Sequence, residues 1–368
     1  MLGFAAMLEQ GLRCSGHEVK TLSPPNIVGK IAEGSRLHKW LAYVDKLVLL
    51  PPLLWRKAGQ ADIVHVCDHS NALYIPRMKR KPYVVTCHDL LAVRGGMGEQ
   101  TDCPASGLGK WLQRWILAGL KRADGIACVS KTTLHDAKRL VRGQHPVEVL
   151  PLALRQDLQP LPDSEQREQL RRVAGLDLDK PFILHVGSSQ RRKNREGILR
   201  IFAKIAGKTN AQLVFAGKPL STTQRELAHV LNLEDRIIET GEITNKLLAA
   251  LYGKALVFLF PSRFEGFGWP IVEAQLCGCP VLCSDRDPFP EVAGDGALMR
   301  NVEDEIGFAE DIMRLASDKQ LRASLIDKGF ENVRHYSVEA MISRYVALYD
   351  QVLKPQQKPN PATVQAAA

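Results

Sequence analysis

The stretch Phe260-Pro-Ser-Arg-Phe-Glu265-Gly-Phe-Gly-Trp-Pro270-Ile-Val-Glu273-Ala-Gln-Leu-Cys-Gly278-Cys-Pro280 decides how the chain reads. An apolar run over 256–260 leads into it, as a buried strand would, and a turn containing Gly266 and Gly268 follows. Proline suits the first position of a helix, where its missing N–H would have had no partner anyway. A helix is therefore expected to begin near Pro270, with Glu273 in its first turn, and to end at Gly278 and Pro280. A strand, a turn and a helix in that order place free helix N–H groups at the carboxyl edge of a parallel sheet, where an anion can bind. The glycines permit close approach of backbone to a ligand. Taken singly, Glu273 reads as a carboxylate complementing the helix dipole, and Glu265 as a solvated turn residue. The whole pattern, E-G-F-G-x-P-x-x-E followed by C-G-C-P-V, is far more specific than either residue alone.

Outward from this stretch, short β-branched runs alternate with helical ones. Strands are expected at 18–22, 62–67, 83–87, 125–129 and 147–150, then at 182–186, 212–216, 256–260, 281–284 and 297–299. These runs are apolar on both faces, as strands of a covered parallel sheet must be, so the fold class is α/β with right-handed crossovers. The two groups are joined by a polar segment, 154–180, containing Pro160, Pro162 and one short helix, capped by Asp163 or Ser164 and ended by Gly175. The resulting division is 1–160 for the first domain, 161–335 for the second, 336–354 for a terminal helix and 355–368 for a disordered tail. Residues 1–15 form a helix with Phe4, Met7, Leu8 and Leu12 on one face, so the first domain opens on a helix. A doubly wound domain ordinarily begins with a strand and a tight turn.

The chain has 368 residues and a formal charge of +9. Residues 1–150 hold 21 Lys+Arg against 12 Asp+Glu, while the remainder holds 28 of each. The excess therefore belongs to the first half, which suits something acidic such as a membrane surface or an anionic ligand. The longest apolar run, 47–54, is interrupted by Pro51 and Pro52 and is too short to span a bilayer. The N-terminus lacks the basic region of a signal peptide. The eight cysteines contain no C-x-x-C pair, and Cys277, Cys279 and Cys283 fit no usual zinc spacing; they read as buried, reduced thiols of a cytoplasmic protein. A P-loop and a GxGxxG after a strand are both missing, so nucleotide hydrolysis and NAD chemistry lack support. No recognition fold or stacking platform favours nucleic acid.

With these motifs the sequence resembles the retaining nucleotide-sugar glycosyltransferases of the GT-B fold, family 4. Their mark is Glu-x7-Glu in a strand–turn–helix context, matched by Glu265 and Glu273. The run Phe182-Ile-Leu-His-Val-Gly187-Ser-Ser-Gln-Arg-Arg192-Lys193-Asn194 resembles the first strand and basic loop of that family's donor domain. Residues 213–218, 241–243 and Pro290-Glu291-Val292 resemble its later loops; 84–89 and 123–130 resemble parts of its first domain. The resemblance implies two Rossmann-like doubly wound domains facing a cleft and a terminal helix crossing back to the first domain. Members of the family open their first domain with a strand and a glycine-rich loop, and the expectation here is a first domain without them. The resemblance also implies roles. Arg192 and Lys193 would neutralise the leaving diphosphate, Glu273 would bind ribose hydroxyls, and Glu265 with Gly266, Phe267 and Gly268 would hold the sugar. Lys218 and Ile243 would complete the donor site. His88 would face it across the cleft, making Glu265, His88 and Lys193 the catalytic set. No metal and no cofactor would be required.

Plainer explanations stand beside these: a solvated loop for 191–193, a core histidine for His88, a helix-start lysine for Lys218 and a core residue for Ile243. Ser188 stands where many members carry arginine, and Arg192 would replace it. The metal-binding Asp-x-Asp of another transferase architecture is matched only by the spacings Asp177/Asp179 and Asp285/Asp287, which arise readily by chance. The implied activity is transfer of a hexose, mannose-like, from a nucleotide-diphosphate sugar to a glycan or lipid-linked acceptor, with retention, in cell-surface polysaccharide synthesis. Trp40, Trp55, Trp111 and Trp115 lie among basic residues in 37–57 and 107–122, and 77–81 is a short basic run. Peripheral contact with an anionic membrane, at its inner face, is expected from them, though core-facing helices explain the same pattern. The competing reading is a degenerate GT-B binding or scaffolding protein without catalysis.

Overall fold

The structure, a computed structural model, describes residues 2–23, 48–77, 81–143 and 145–354. Expectations for Trp40, for 37–47, for 78–80 and for the tail 355–368 lie outside the described residues. Strands β1 (Val64–Val66), β2 (Tyr83–Cys87), β3 (Gly125–Cys128) and β4 (Val147–Val149) form one parallel sheet in that order. Strands β5 (Phe182–Val186), β6 (Gln212–Ala216), β7 (Ile237–Gly241), β8 (Val257–Phe260), β9 (Val281–Ser284) and β10 (Ala297–Arg300) form a second, ordered β10-β9-β8-β5-β6-β7 and also parallel. Strand order reverses between β5 and β8, the doubly wound pattern, and the carboxyl ends at such a reversal border a crevice.

Burial explains why these strands read as continuous apolar runs. In β2, Val84 packs with one cluster while Tyr83, Val85 and Cys87 pack with another. In β5, Phe182 and Leu184 face one side and Ile183 the other. Each sheet is thus covered on both faces, as an all-parallel sheet requires.

Several local expectations are corrected. Residues 18–22 form no strand; Arg13 Nη2 donates to Val19 O at 3.0 Å and Thr21 Oγ1 to Glu9 Oε2 at 2.6 Å, so this segment bonds to side chains of the helix Leu2–Cys14. Conversely β7, Ile-Ile-Glu-Thr-Gly, is a strand that periodicity overlooked. It lies at the sheet edge with only Ile238 buried, so its pattern is mixed rather than apolar. The helix Asp163–Leu170 starts on Asp163 itself, and no side chain caps it. Of the eight cysteines five are buried, but Cys14 is exposed.

The helix Val338–Leu353 packs Tyr345, Leu348 and Tyr349 against Phe4, Met7 and Leu8 of the first helix and Val84 and Ala127 of the first sheet. Tyr345 shares a 2.9 Å hydrogen bond with Thr86, and His65 sits between Thr86 (2.8 Å) and Tyr349 (2.6 Å). Among the described residues, no helix is long and apolar enough to cross a membrane. The two sheet units meet through specific contacts. Lys131 N donates to both carboxylate oxygens of Glu291, at 2.9 and 3.2 Å, and Trp269 Nε1 donates to Ala153 O at 2.9 Å.

Candidate active site

The loops leaving β5 and β8 sit side by side because those strands are neighbours. The first carries Arg191–Lys193 in one tight turn that Asn194 closes at φ +55°. The two loops are stitched together: Arg263 N donates to Arg192 O at 2.7 Å, and Asn194 Nδ2 donates to Pro261 O at 3.1 Å. This frame brings both cations onto one carboxylate. Arg192 Nη1 lies 2.5 Å from Glu265 Oε2 and also reaches Phe264 O at 3.2 Å. Lys193 pairs with Glu265 Oε1, its ammonium 4.8 Å from the centre of the Phe260 ring. Burial pushes the Lys193 pKa down, and Glu265 opposes that shift without cancelling it. A buried lysine and a half-buried arginine share one buried carboxylate, so the cluster carries a net positive charge that a further anion would neutralise.

The helix Trp269–Leu276 begins beside this cluster. Gly268, at φ +102°, caps it, and Pro270 is its second residue, not its first. Glu273 therefore lies one position past the first turn, correcting the expected placement, and the dipole explanation for it weakens accordingly. Glu273 is buried; Tyr252 donates to its Oε2 at 3.3 Å and Arg155 Nη1 stands 3.8 Å from its Oε1. Burial raises its pKa, and Arg155 counteracts this only in part.

Gly266 packs directly against the first unit. A Cβ placed there would lie 1.8 Å from the carbonyl oxygen of His88. The His88 ring stacks edge-on against Phe4 at 5.2 Å. Its Nε2 is 3.0 Å from Cys67 O; a carbonyl only accepts, so Nε2 holds the proton and Nδ1 presents a lone pair. Burial lowers the His88 pKa, favouring this neutral form at pH 7.

Among the expected site residues, the structure joins Arg192, Lys193 and Glu265 directly and sets Gly266 against His88. Gly268 starts the helix that carries Glu273. The Phe267 side chain instead turns into the core, 5.6 Å from the Tyr336 ring, leaving its backbone as the part able to meet a ligand. Lys218 is exposed and Ile243 is half-buried against the core; among the described residues no hydrogen bond or ion pair ties either to the Glu265 cluster.

Two residues escaped notice. Arg195 is fully buried, donating from Nη1 to Lys218 O (2.8 Å) and Pro219 O (3.2 Å) and from Nη2 to Gly187 O (2.6 Å). It clamps the loops after β5 and β6 together. Its signal was available, since a cation at the start of a helix opposes the dipole and needs another reason to be there. Arg155 gave no signal in a polar connecting segment. A cavity of about 540 Å³ between the first and last helices is lined by Met7, Cys14 and Ile342 among others, and by none of the expected site residues.

The two parallel-sheet units and the charged cluster at the carboxyl edge of the second define a GT-B architecture. Two family models together take in most of the chain: "Glycosyl transferases group 1" matches residues 166–332, and "Glycosyltransferase Family 4" matches residues 4–155. The chain belongs to these glycosyltransferases. Among its relatives, N-acetyl-alpha-D-glucosaminyl L-malate synthase of Bacillus anthracis is 25% identical over 80% of this chain and 75% of its own. The O-antigen chain mannosyltransferase RfbU of Salmonella typhimurium is 26% identical over 79% of this chain and 74% of its own. Among solved structures, sucrose-phosphate synthase of Thermosynechococcus elongatus is similar with a TM-score of 0.75 at 20% identity, over 95% of this chain and 92% of that one. HepE of Anabaena, in complex with UDP and glucose, is similar with a TM-score of 0.70 at 15% identity, over 90% and 98%.

Proposed function

We propose that the protein transfers a hexose from a nucleoside-diphosphate sugar to a hydroxyl of a glycan or lipid-linked acceptor, retaining the anomeric configuration, in the assembly of a cell-surface polysaccharide. The observation that carries this is the Arg192–Glu265–Lys193 cluster at the sheet reversal, with Gly266 against His88 on the other unit. The donor is assigned to residues 161–335 and the acceptor to 1–160. The HepE complex with UDP and glucose and the mannosyltransferase relative support the choice of substrates.

In this mechanism the glycosidic bond to the diphosphate lengthens and negative charge grows on the leaving oxygen. Arg192 and Lys193 stabilise that charge most when it is fully developed, which is what accelerates the step. These side chains and the N–H groups at Gly268–Trp269 do the neutralising that a metal ion does elsewhere, so no cofactor is called on. Glu265 and the backbone of Gly266–Gly268 hold the sugar, His88 Nδ1 accepts a hydrogen bond from a substrate hydroxyl, and Glu273 accepts from the ribose. The acceptor hydroxyl attacks from the face the diphosphate leaves, and the departing phosphate takes its proton.

A thermal-shift series with UDP-glucose and GDP-mannose tests this, since a ligand that binds only the folded chain raises its melting midpoint. One donor is expected to raise the midpoint, and Glu273→Ala is expected to abolish the rise. If neither sugar nucleotide shifts the native protein, a non-catalytic scaffold is the better reading.

We also infer that the first domain rests on an anionic membrane. Helix Leu50–Ala58 exposes Leu53, Trp55, Arg56 and Lys57, and helix Gly107–Leu120 exposes Leu108, Lys110, Trp111 and Arg114. Apolar side chains that enter a bilayer beside basic ones suit such a surface. Sedimentation with vesicles is expected to need anionic lipid and to fall as salt rises; binding to neutral vesicles alone, or none, would reject the assignment.

A further inference from the structure

We propose that Arg155, supplied by the segment connecting the two domains, is a positioning residue of the donor site, holding the buried Glu273 carboxylate in the ionised form that accepts from both hydroxyls of a ribose. This rests on the assignment of Glu273 to the ribose.

A carboxylate 4% exposed loses most of its hydration and tends to take up a proton. Once protonated, one of its oxygens becomes a donor, and the group no longer accepts two hydroxyl hydrogens at once. What faces Glu273 therefore matters. The phenol of Tyr252, on the helix Asn245–Lys254, donates to Oε2. The thiol of Cys277 and the carboxylate of Asp157 are also near, and Asp157 favours the protonated form. Among these groups Arg155 is the cation.

Its guanidinium is held at a fixed angle. Nε and Nη2 fork onto Asp157 at 3.2 and 3.1 Å, and Nη2 also donates to Asn245 Oδ1 at 2.9 Å. Asn245 Nδ2 returns a 2.5 Å hydrogen bond to Asp157. That arrangement leaves Nη1 turned toward Glu273 Oε1 at 3.8 Å. The separation is longer than a hydrogen bond, so the cation acts through space and Oε1 keeps its lone pairs for a ligand. The connector that carries Arg155 is itself pinned at its start: Ala153 O, just before it, accepts from Trp269 of the second domain, and Leu154 N donates to Tyr336 O at 2.8 Å. The donor site is thus completed by a residue outside the donor sheet.

Without the cation, burial acts on Glu273 almost unopposed, its pKa rises, and the protonated fraction grows as pH falls. An opposite charge at this range typically moves a carboxyl by about 1–3 units. Calorimetric titration of the full chain with UDP, and in parallel with GDP, at pH 5.5, 7.0 and 8.5 reads this out. For whichever nucleotide binds, Arg155→Gln is expected to weaken binding about 10-fold or more at pH 5.5 and to come within about 3-fold of the native protein at pH 8.5. Arg155→Lys, which keeps the charge but not the fork onto Asp157, is expected to bind more tightly than Arg155→Gln at pH 5.5.

Equal weakening of Arg155→Gln at all three pH values would overturn the proposal, because it would mean a direct ligand contact or a damaged fold. So would native affinity of Arg155→Gln at pH 5.5, or Arg155→Lys as weak as Arg155→Gln. The control is Glu273→Gln, expected to bind weakly throughout. If it binds like the native chain, the ribose assignment fails, and the role given to Arg155 fails with it.

Discussion

Gly266→Ala is expected to lower kcat by about 100-fold or more while nucleotide affinity stays within about 3-fold of native. The added methyl would lie 1.8 Å from a backbone oxygen, that of His88, so no side-chain rotation relieves it. Either the turn retreats or the two units part by an ångström or more. Both carry His88 away from the sugar, and misplacement on that scale typically removes about two orders of magnitude of rate. Glycine is required here for the close approach, since Gly266 is not among the glycines with positive φ. Arg192, Lys193 and Glu273 belong to the second unit and keep their geometry, which is why binding should survive. Steady-state kinetics beside calorimetry separates the two; an unchanged kcat would mean that the Gly266–His88 contact is not part of the working enzyme.

Lys193→Ala is expected to reduce kcat by about 10²–10³-fold, the effect typical of removing one preorganised group that stabilises transition-state charge. The ammonium lies between Glu265 and the Phe260 ring, so its loss leaves Glu265 balanced by Arg192 alone and the cluster without its net positive charge. Lys193→Arg should recover little, because a planar guanidinium does not fit a pocket built for a compact ammonium. The native pH profile should fall on the alkaline side for the same reason. Burial lowers the Lys193 pKa below that of free lysine, so its charge, and the stabilisation it provides, is present at low pH and lost as pH rises through that lowered value. The alkaline limb should be missing from what activity remains in Lys193→Ala.

The legible and the hidden parts of the fold divide by range. Phe182–Val186, Gln212–Ala216 and Val281–Ser284 were readable to the residue because both faces are buried, which makes the run apolar throughout. Ile237–Gly241 was not, because an edge strand buries only one side. Residues 18–22 looked like a strand locally but bond to the side chains of Glu9 and Arg13. In the site, Arg192, Lys193 and Glu265 on two loops and Glu273 on the helix that follows could be named because their motifs resemble those of a known family. Arg195 shows in the sequence only as a cation opposing the dipole of its helix, and Arg155 not at all, since its partners Asn245 and Glu273 lie on other segments.

Sequence by itself determined that this chain is α/β, that its sheets are parallel and covered on both faces, and that acidic and basic loops leave the carboxyl ends of particular strands. Those properties follow from backbone preference and apolar periodicity, which act over a few residues. Only the tertiary structure decided that β5 lies beside β8, so that Arg192 and Lys193 meet Glu265 some seventy residues away. It also decided that Gly266 touches His88 and that a connector arginine faces Glu273. Strand order and domain docking are set by the joint burial of side chains far apart in the chain, and no local pattern encodes that sum.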